Sequence, residues 1–308
     1  MEFSHFSVML PECIEGLRIR PDGVYIDGTA GGAGHSSAIA SRLSDQGILL
    51  ALDQDPDAIE TAKKRLEVYP SARVIQANFS EMRQVAAAQQ IENVDGVLLD
   101  LGVSSFQLDT AERGFSYMHD GNLDMRMSKQ GISAREIVNT YSKEELERIF
   151  REYGEERFSG SIAAAIVRKR QEQEISTTFA LADIIKSAMP AKARREKNPC
   201  KRTFQALRIA VNAELDRLSD GLDAAFELLA PGGRLVVLTF HSLEDRIVKQ
   251  RYQAWCQGCV CPPDFPVCRC GHQPKAKLIT RKPLLPSETE LAQNKRSQSA
   301  KLRILEKL

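Results

Sequence analysis

Val24-Tyr25-Ile26-Asp27-Gly28-Thr29-Ala30-Gly31-Gly32-Ala33-Gly34-His35 reads as a short strand that runs straight into a glycine-rich turn, with a helical pattern following through Leu43. Glycines let the backbone turn sharply and approach a ligand closely, and the free N–H groups of the next helix face the same ligand. Such a turn is common, and alone it specifies little. Its meaning comes from Asp53, which closes the next β-like run, Ile48 to Asp53. That is about 20 residues past the turn, where an acid accepts both hydroxyls of an adenosine ribose. The pair predicts a nucleoside cofactor. A dinucleotide fingerprint requires Gly-x-Gly-x-x-Gly, and the register Gly28-x-x-Gly31-Gly32-x-Gly34 does not match it. Asp27, opening the turn, suits instead a cofactor with a positive end, such as the sulfonium and ammonium of S-adenosylmethionine. The plainer role for Asp27 is a turn or cap residue. Asn78-Phe79 stands where an adenine ring is flanked, unless Phe79 is ordinary core.

Working outward, β-like runs occur at Val24 to Asp27, Ile48 to Asp53, Arg73 to Ala77, Gly96 to Asp100 and Arg234 to Phe240. Helical patterns, Pro56 to Val68 and Ser80 to Gln90, separate the early ones. Strands alternating with helices at this spacing imply βαβ units and a parallel sheet, so the fold class is α/β, a Rossmann-like sheet. The alternation stops between the fourth and fifth runs, a gap far longer than a βα loop. Ser142 to Tyr153, Gly160 to Gln173, Thr178 to Met189 and Thr203 to Leu218 carry apolar residues at three-and-four spacing there. The expected organisation is a first part at 1–109, an inserted small helical domain at 110–210, and a second part at 211–308. Gly221 to Leu229 reads as the helix returning to the sheet, Ala230-Pro231-Gly232-Gly233 as its stop, and Ala300 to Leu305 as an added edge strand.

The 308 residues hold 42 basic and 41 acidic side chains, so the overall balance predicts no polyanion partner and local clusters must decide. Met1 to Leu10 lacks the pattern of a signal peptide, and no apolar stretch is long enough for a membrane span. Five of the seven cysteines crowd between Cys256 and Cys270, a poor disulfide framework. A cytoplasmic protein with no membrane partner is expected.

The chemical centre is expected after the fourth strand, at Asp100-Leu101-Gly102-Val103-Ser104-Ser105-Phe106-Gln107, because ligands of open parallel sheets bind beyond the strands' carboxyl ends. Methylating an exocyclic base amine needs acceptors that hold the amine's hydrogens and aim its lone pair, and Asp100, Ser104 and Ser105 are of that type. Helix capping is their plainer role. His241, leaving the fifth strand, is a further candidate for substrate orientation or proton transfer, against a simple satisfied polar residue. Asp124-Met125-Arg126-Met127 suggests a turn over the base, with core packing as the plainer reading of the methionines.

Several strings together bear a family likeness: His5-Phe6-Ser7-Val8-Met9-Leu10, Asp27-Gly28-Thr29, Asp100-Leu101-Gly102-Val103-Ser104-Ser105, Arg113-Gly114-Phe115-Ser116, Asp124-Met125-Arg126-Met127, Thr203-Phe204-Gln205-Ala206-Leu207-Arg208 and Phe240-His241-Ser242-Leu243-Glu244-Asp245-Arg246. Spread over nearly the whole chain, they resemble the bacterial 16S rRNA cytosine-N4 methyltransferase (RsmH, or MraW) family. The resemblance implies methyl transfer from S-adenosylmethionine to N4 of a cytidine in the decoding centre of 16S rRNA, within an assembled or assembling small subunit. It places the cofactor contacts on Ala33, Gly34 and His35, then Asp53, Phe79, Asp100 and Gln107, beside Asp27 and Gly31 of the loop. Two departures stand out: the family often has Gly where Ala33 stands and Pro where Phe106 stands.

A basic stretch joins the third and fourth insert helices: Lys186, Lys192, Arg194, Arg195, Lys197, Lys201, Arg202 and Arg208, against Glu196 alone. Beside a methyl-donor site it reads as an RNA-binding surface, although such runs are commonly solvated faces. Lys275, Lys277, Arg281 and Lys282, with Lys295, Arg296, Lys301 and Arg303, offer a second wall. Cys256-x-x-Cys259-x-Cys261, then Cys268-x-Cys270-x-His272, supply enough soft ligands for a structural zinc, against free thiols in a loop. The rival readings are a non-catalytic RNA-binding assembly factor, which the intact Asp27, Asp53 and Asp100 disfavour, and an NAD-dependent oxidoreductase, which the loop register disfavours.

Overall fold

A computed structural model describes residues 7–195, 198–261, 267 and 269–308. Among them one sheet contains β1 (Val24–Asp27), β2 (Ile48–Asp53), β3 (Ala72–Gln76), β4 (Val94–Asp100), β5 (Leu229–Thr239), β6 (Ala276–Leu278) and β7 (Lys301–Lys307). The order is β3-β2-β1-β4-β5-β7-β6. β1 to β5 pair in parallel, and β7 runs antiparallel to both β5 and β6. A parallel sheet has both faces covered, and the side-chain alternation of the strands fills two cores. Tyr25, Leu49, Ala51, Leu98, Val236 and Leu238 pack with the Leu10–Leu17 and Gly34–Ala40 helices. Ile26, Leu50, Leu52, Val97, Leu99, Leu235 and Val237 face the other way, onto Met82, Leu222, Val248 and Tyr252. From β1 the sheet grows toward β2 on one side and β4 on the other, so the crevice for a ligand opens at their carboxyl ends.

The structure departs from the sequence reading in particular places. Ala300 to Leu305 was expected to form an edge. Instead β7 is paired on both sides, and β6, whose Ala-Lys-Leu carries no strand signal, takes the edge that β7 leaves open. Ala230 to Gly233, expected as a loop, lies inside β5: Val94 pairs with Leu229 and Gly96 with Arg234, so the four residues bulge from the ladder. The helix expected over Thr203 to Leu218 is two helices, Lys201–Asn212 and Glu214–Leu228, because Ala213 between them turns left-handed at φ 49°. The Leu10–Leu17 helix was not foreseen.

The chain divides into two compact units, Met1–Gly102 with Leu215–Leu308, and Val103–Glu214. The first contains the sheet. In the second, the Ala134–Thr140, Lys143–Gly154, Ser159–Arg170, Thr178–Ala188 and Lys201–Asn212 helices surround Leu146, Phe150, Ile166, Leu181, Ile185 and Leu207. Reciprocal Ser/Glu caps, Ser133 with Glu136 and Ser142 with Glu145, start the first two of these helices. The Asp124-to-Met127 turn is internal scaffolding rather than a cover. Met125 and Met127 are buried, Arg113 donates to the carbonyls of Arg126 and Met127 at 3.0 Å each, and Asn212 Oδ1 accepts the Met127 N–H at 2.8 Å.

Candidate active site

The turn after β1 is fastened on both sides. The Gly28 N–H donates to Leu98 O of β4 at 2.9 Å, and the Ala30 N–H to Leu52 O of β2 at 2.8 Å. A Cβ on Gly28 would stand 2.6 Å from Leu99 Cδ2 and 2.9 Å from Phe79 Cβ, so only glycine fits this close approach. Ala33 sits at φ 60°, ψ 26°, the left-handed region in which glycine is at ease and alanine is strained by about 1 kcal/mol.

Three carboxyl groups close β1, β2 and β4 at this end of the sheet. Asp27 is fully buried: Oδ2 accepts from the Ser36 hydroxyl at 2.5 Å and Oδ1 from the Thr29 N–H at 3.1 Å. Burial outweighs those bonds and pushes its carboxyl up to about 6. Asp53 Oδ2 accepts from the Gly31 N–H and Oδ1 from the Asp55 N–H, both at 2.8 Å, which ties the end of β2 to the glycine turn. Its carboxyl is also raised to about 6, by burial against the same two hydrogen bonds. Asp100 is raised furthest, to about 8, by burial first and then by the charges of Asp27 and Glu244.

Asp100 is built into the loop rather than into a helix cap. Its N–H donates to Thr29 Oγ1 at 2.7 Å, and its Oδ2 lies 3.6 Å from His35 Nδ1. His35 Nε2 is 3.1 Å from the carbonyl of Val8, which only accepts, so Nε2 carries a proton and the ring is held with Nδ1 toward Asp100. The remaining oxygen, Asp100 Oδ1, is buried with no hydrogen-bond partner among the described residues. A buried acceptor left open at the carboxyl end of a strand can take a hydrogen bond from a bound ligand. Together with the glycine cradle and the anchored Asp53 carboxylate, these residues fit an adenosyl cofactor and an amine substrate. Thr29 and Ser36 were missed in the sequence, since a hydroxyl in a turn carries no signal until its carboxylate partner is known.

Other expected residues have different places. Phe79 is half buried with its ring against Gly221, where an added Cβ would meet Cδ2 at 2.4 Å. In the helical unit Ser104 caps the Ser105–Asp109 helix. Its Oγ accepts the Gln107 N–H at 3.2 Å, while Gln107 Oε1 accepts the Ser104 N–H at 3.0 Å. Ser105 is the first residue of that helix. His241 caps the Ser242–Cys256 helix through Nδ1, which accepts the Glu244 N–H at 3.4 Å, and its Nε2 lies 3.1 Å from Glu244 Oε1. Among the described residues Nε2 is nevertheless buried without a hydrogen-bond partner, so helix capping satisfies only one of the two ring nitrogens.

Of the basic stretch, Lys192, Arg194, Arg195, Lys201 and Arg202 are exposed, and Lys197 lies outside the described residues. Among the described residues no carboxylate pairs with Arg194 or Arg195. Arg208 does not belong with them, because both its Nε and Nη2 are held by Glu214 at 2.8 Å. Among the described cysteines, Cys259, Cys261 and Cys270 converge. Cys256, which ends its helix, and His272 are not in that group, and Cys268 lies outside the described residues.

A doubly covered, mostly parallel sheet with a glycine-rich turn and a cluster of carboxyl groups at its carboxyl edge is a Rossmann-like fold, and the family match makes the chain an S-adenosylmethionine-dependent methyltransferase. More narrowly, the chain belongs to the MraW methylase family, whose model matches residues 2–308. It is 56% identical over 311 residues to "Ribosomal RNA small subunit methyltransferase H 2" of Agathobacter rectalis, an alignment covering 100% of this chain and 99% of that one. It is 53% identical to "Ribosomal RNA small subunit methyltransferase H" of Carboxydothermus hydrogenoformans (100% and 99% covered) and 52% identical to that of Lachnospira eligens (100% and 99%). Among the described residues no helix is long and apolar enough to cross a membrane.

Proposed function

We propose that this chain methylates the exocyclic N4 of a cytidine in the decoding centre of 16S rRNA, acting in the cytoplasm on an assembled or assembling small subunit. The observation that carries the reading is the buried, unpartnered Oδ1 of Asp100 at the end of β4. The names of the 52–56% identical relatives support rRNA as the substrate. S-adenosylmethionine, when bound, supplies the electrophilic methyl group. Asp53 accepts the ribose hydroxyls, and Asp27 contributes negative charge beneath the turn. Asp100 Oδ1 accepts an N–H of the substrate amine and so aims the nitrogen lone pair. As nitrogen gains the methyl group it must shed one proton, and a carboxylate raised toward neutrality is suited to take it. A cationic group beside Asp100 favours its ionised, accepting form.

Incubating small subunits that lack the modification with methyl-tritiated cofactor, then digesting the 16S rRNA to nucleosides, should place the label in N4-methylcytidine. Label confined to another nucleoside would reject the assignment. The exposed Arg194 and Arg195 are assigned to phosphate contacts. Changing both to alanine is expected to weaken RNA binding and make the log K against log salt slope shallower by about 1.4, at roughly 0.7 per single-strand phosphate contact. An unaltered slope in a salt titration would return them to the solvated surface.

A further inference from the structure

The chain leaves the Ser242–Cys256 helix and re-enters the sheet at β6, and the intervening residues 257–275 contain no helix or strand among those described. Loops beyond about 15 residues without secondary structure are uncommon and need a specific cause for a fixed shape. The base is closed by the Lys275 N–H, which donates to Trp255 O at 2.8 Å. Above that, apolar burial does not organise the loop: no described residue of 257–275 is buried, and Val260 and Val267 are 50% and 69% exposed.

Sulfur does organise it. The Sγ atoms of Cys259, Cys261 and Cys270 all lie within 4.8 Å of one another, with Cys259 and Cys270 at 3.8 Å. Each of the three sulfurs also accepts from backbone. The Cys261 N–H reaches Cys259 Sγ at 3.4 Å, the Arg269 N–H reaches Cys261 Sγ at 3.3 Å, and the Val260 and His272 N–H groups both reach Cys270 Sγ at 3.4 Å. Four backbone donors converge on three sulfurs, the surroundings that ligating thiolates take. Three thiolates this close repel one another unless a cation stands between them. A tetrahedral ion with metal–sulfur bonds of about 2.3 Å holds its sulfurs about 3.8 Å apart, which is the separation found for Cys259 and Cys270.

We propose that this loop is folded around a structural zinc ion held by the thiolates of Cys259, Cys261 and Cys270. On binding, each thiol gives its proton to solvent as its zinc–sulfur bond forms, so three protons leave per ion. A soft, all-sulfur set selects zinc over the hard cations that accompany nucleic acid. Three thiolates leave the fourth tetrahedral position to a further ligand. The proposal is independent of the methyl-transfer reading, since the ion staples a loop at the sheet's edge.

The test uses the full chain purified under reducing conditions without chelator, with metals measured by mass spectrometry. The wild type should carry about one zinc per chain. Cys259→Ser and Cys270→Ser should each lose it, while Cys256→Ser, outside the trio, should keep it. S-adenosylmethionine titration calorimetry establishes that each variant is folded. Should a variant fail to fold, mercurial displacement on the wild type, releasing zinc in step with thiol modification, serves in its place. Chelation of the wild type should expose 257–275 to limited proteolysis with cofactor binding unchanged. Wild-type protein that contains no zinc and takes up none on reconstitution, iron in place of zinc, or full zinc in both variants overturns the proposal.

Discussion

Asp100→Ala is expected to lower methyl transfer by at least about a hundredfold, the scale lost when a positioned acceptor and proton-taking group is removed. Cofactor affinity should change far less, because the proposed ribose acceptor is Asp53, so single-turnover rates and calorimetry together separate the two roles. Near-wild-type turnover would end the proposed part played by Asp100. The buried carboxyl also has a signature in stability. Its ordinary value of 3.8 becomes about 8 in the folded chain. Between those values the folded state holds a proton that the unfolded state has lost, so stability falls as pH rises across this window. Asp27 and Asp53, raised to about 6, contribute to the lower part of the same fall. Between pH 6 and 8 Asp100 dominates this group. Asp100→Asn should therefore flatten the decline seen when cofactor-free protein is unfolded by urea at a series of pH values. Parallel slopes for variant and wild type over that interval would show that Asp100 is ionised in the folded chain.

Asp53→Ala is expected to weaken S-adenosylmethionine binding by about a hundredfold, or about 3 kcal/mol, as two charge-assisted hydrogen bonds are lost. The structure adds a second reason for the loss. Asp53 also anchors the turn through the Gly31 N–H, so the variant frees the turn as well as removing the proposed ribose acceptor. Asp53→Asn, whose amide oxygen still accepts one of the two backbone N–H groups, should fall between wild type and alanine. Isothermal titration gives the affinities directly. Equal affinity in all three would place the ribose elsewhere.

The strand ends that carry the three acids are legible in the sequence, and the reason is local. Asp27, Asp53 and Asp100 each close an apolar run, and a run buried on both faces announces itself without knowledge of its neighbours. What escaped notice depended on partners distant in sequence. β6 forms because β7 offers it an edge, and the Ala230-to-Gly233 bulge is a strand segment only because β4 lies alongside. Arg208 looked like one more cation of a basic stretch until Glu214 was found holding it. His241 starts a helix through one ring nitrogen and, among the described residues, leaves the other buried without a hydrogen-bond partner, which its place at a strand end does not announce.

By itself, then, the sequence determined the first strand–turn–helix unit, the acids that close the strands and the interruption between the fourth and fifth strands. Period, turn chemistry and chain-local spacing specify all of these. Only the tertiary structure decided which polar groups are satisfied. It left Asp100 Oδ1 without a donor, raised three carboxyl groups, and drew Cys259, Cys261 and Cys270 together. Desolvation and hydrogen-bond completion depend on what surrounds a group in space, and chain order does not encode that directly.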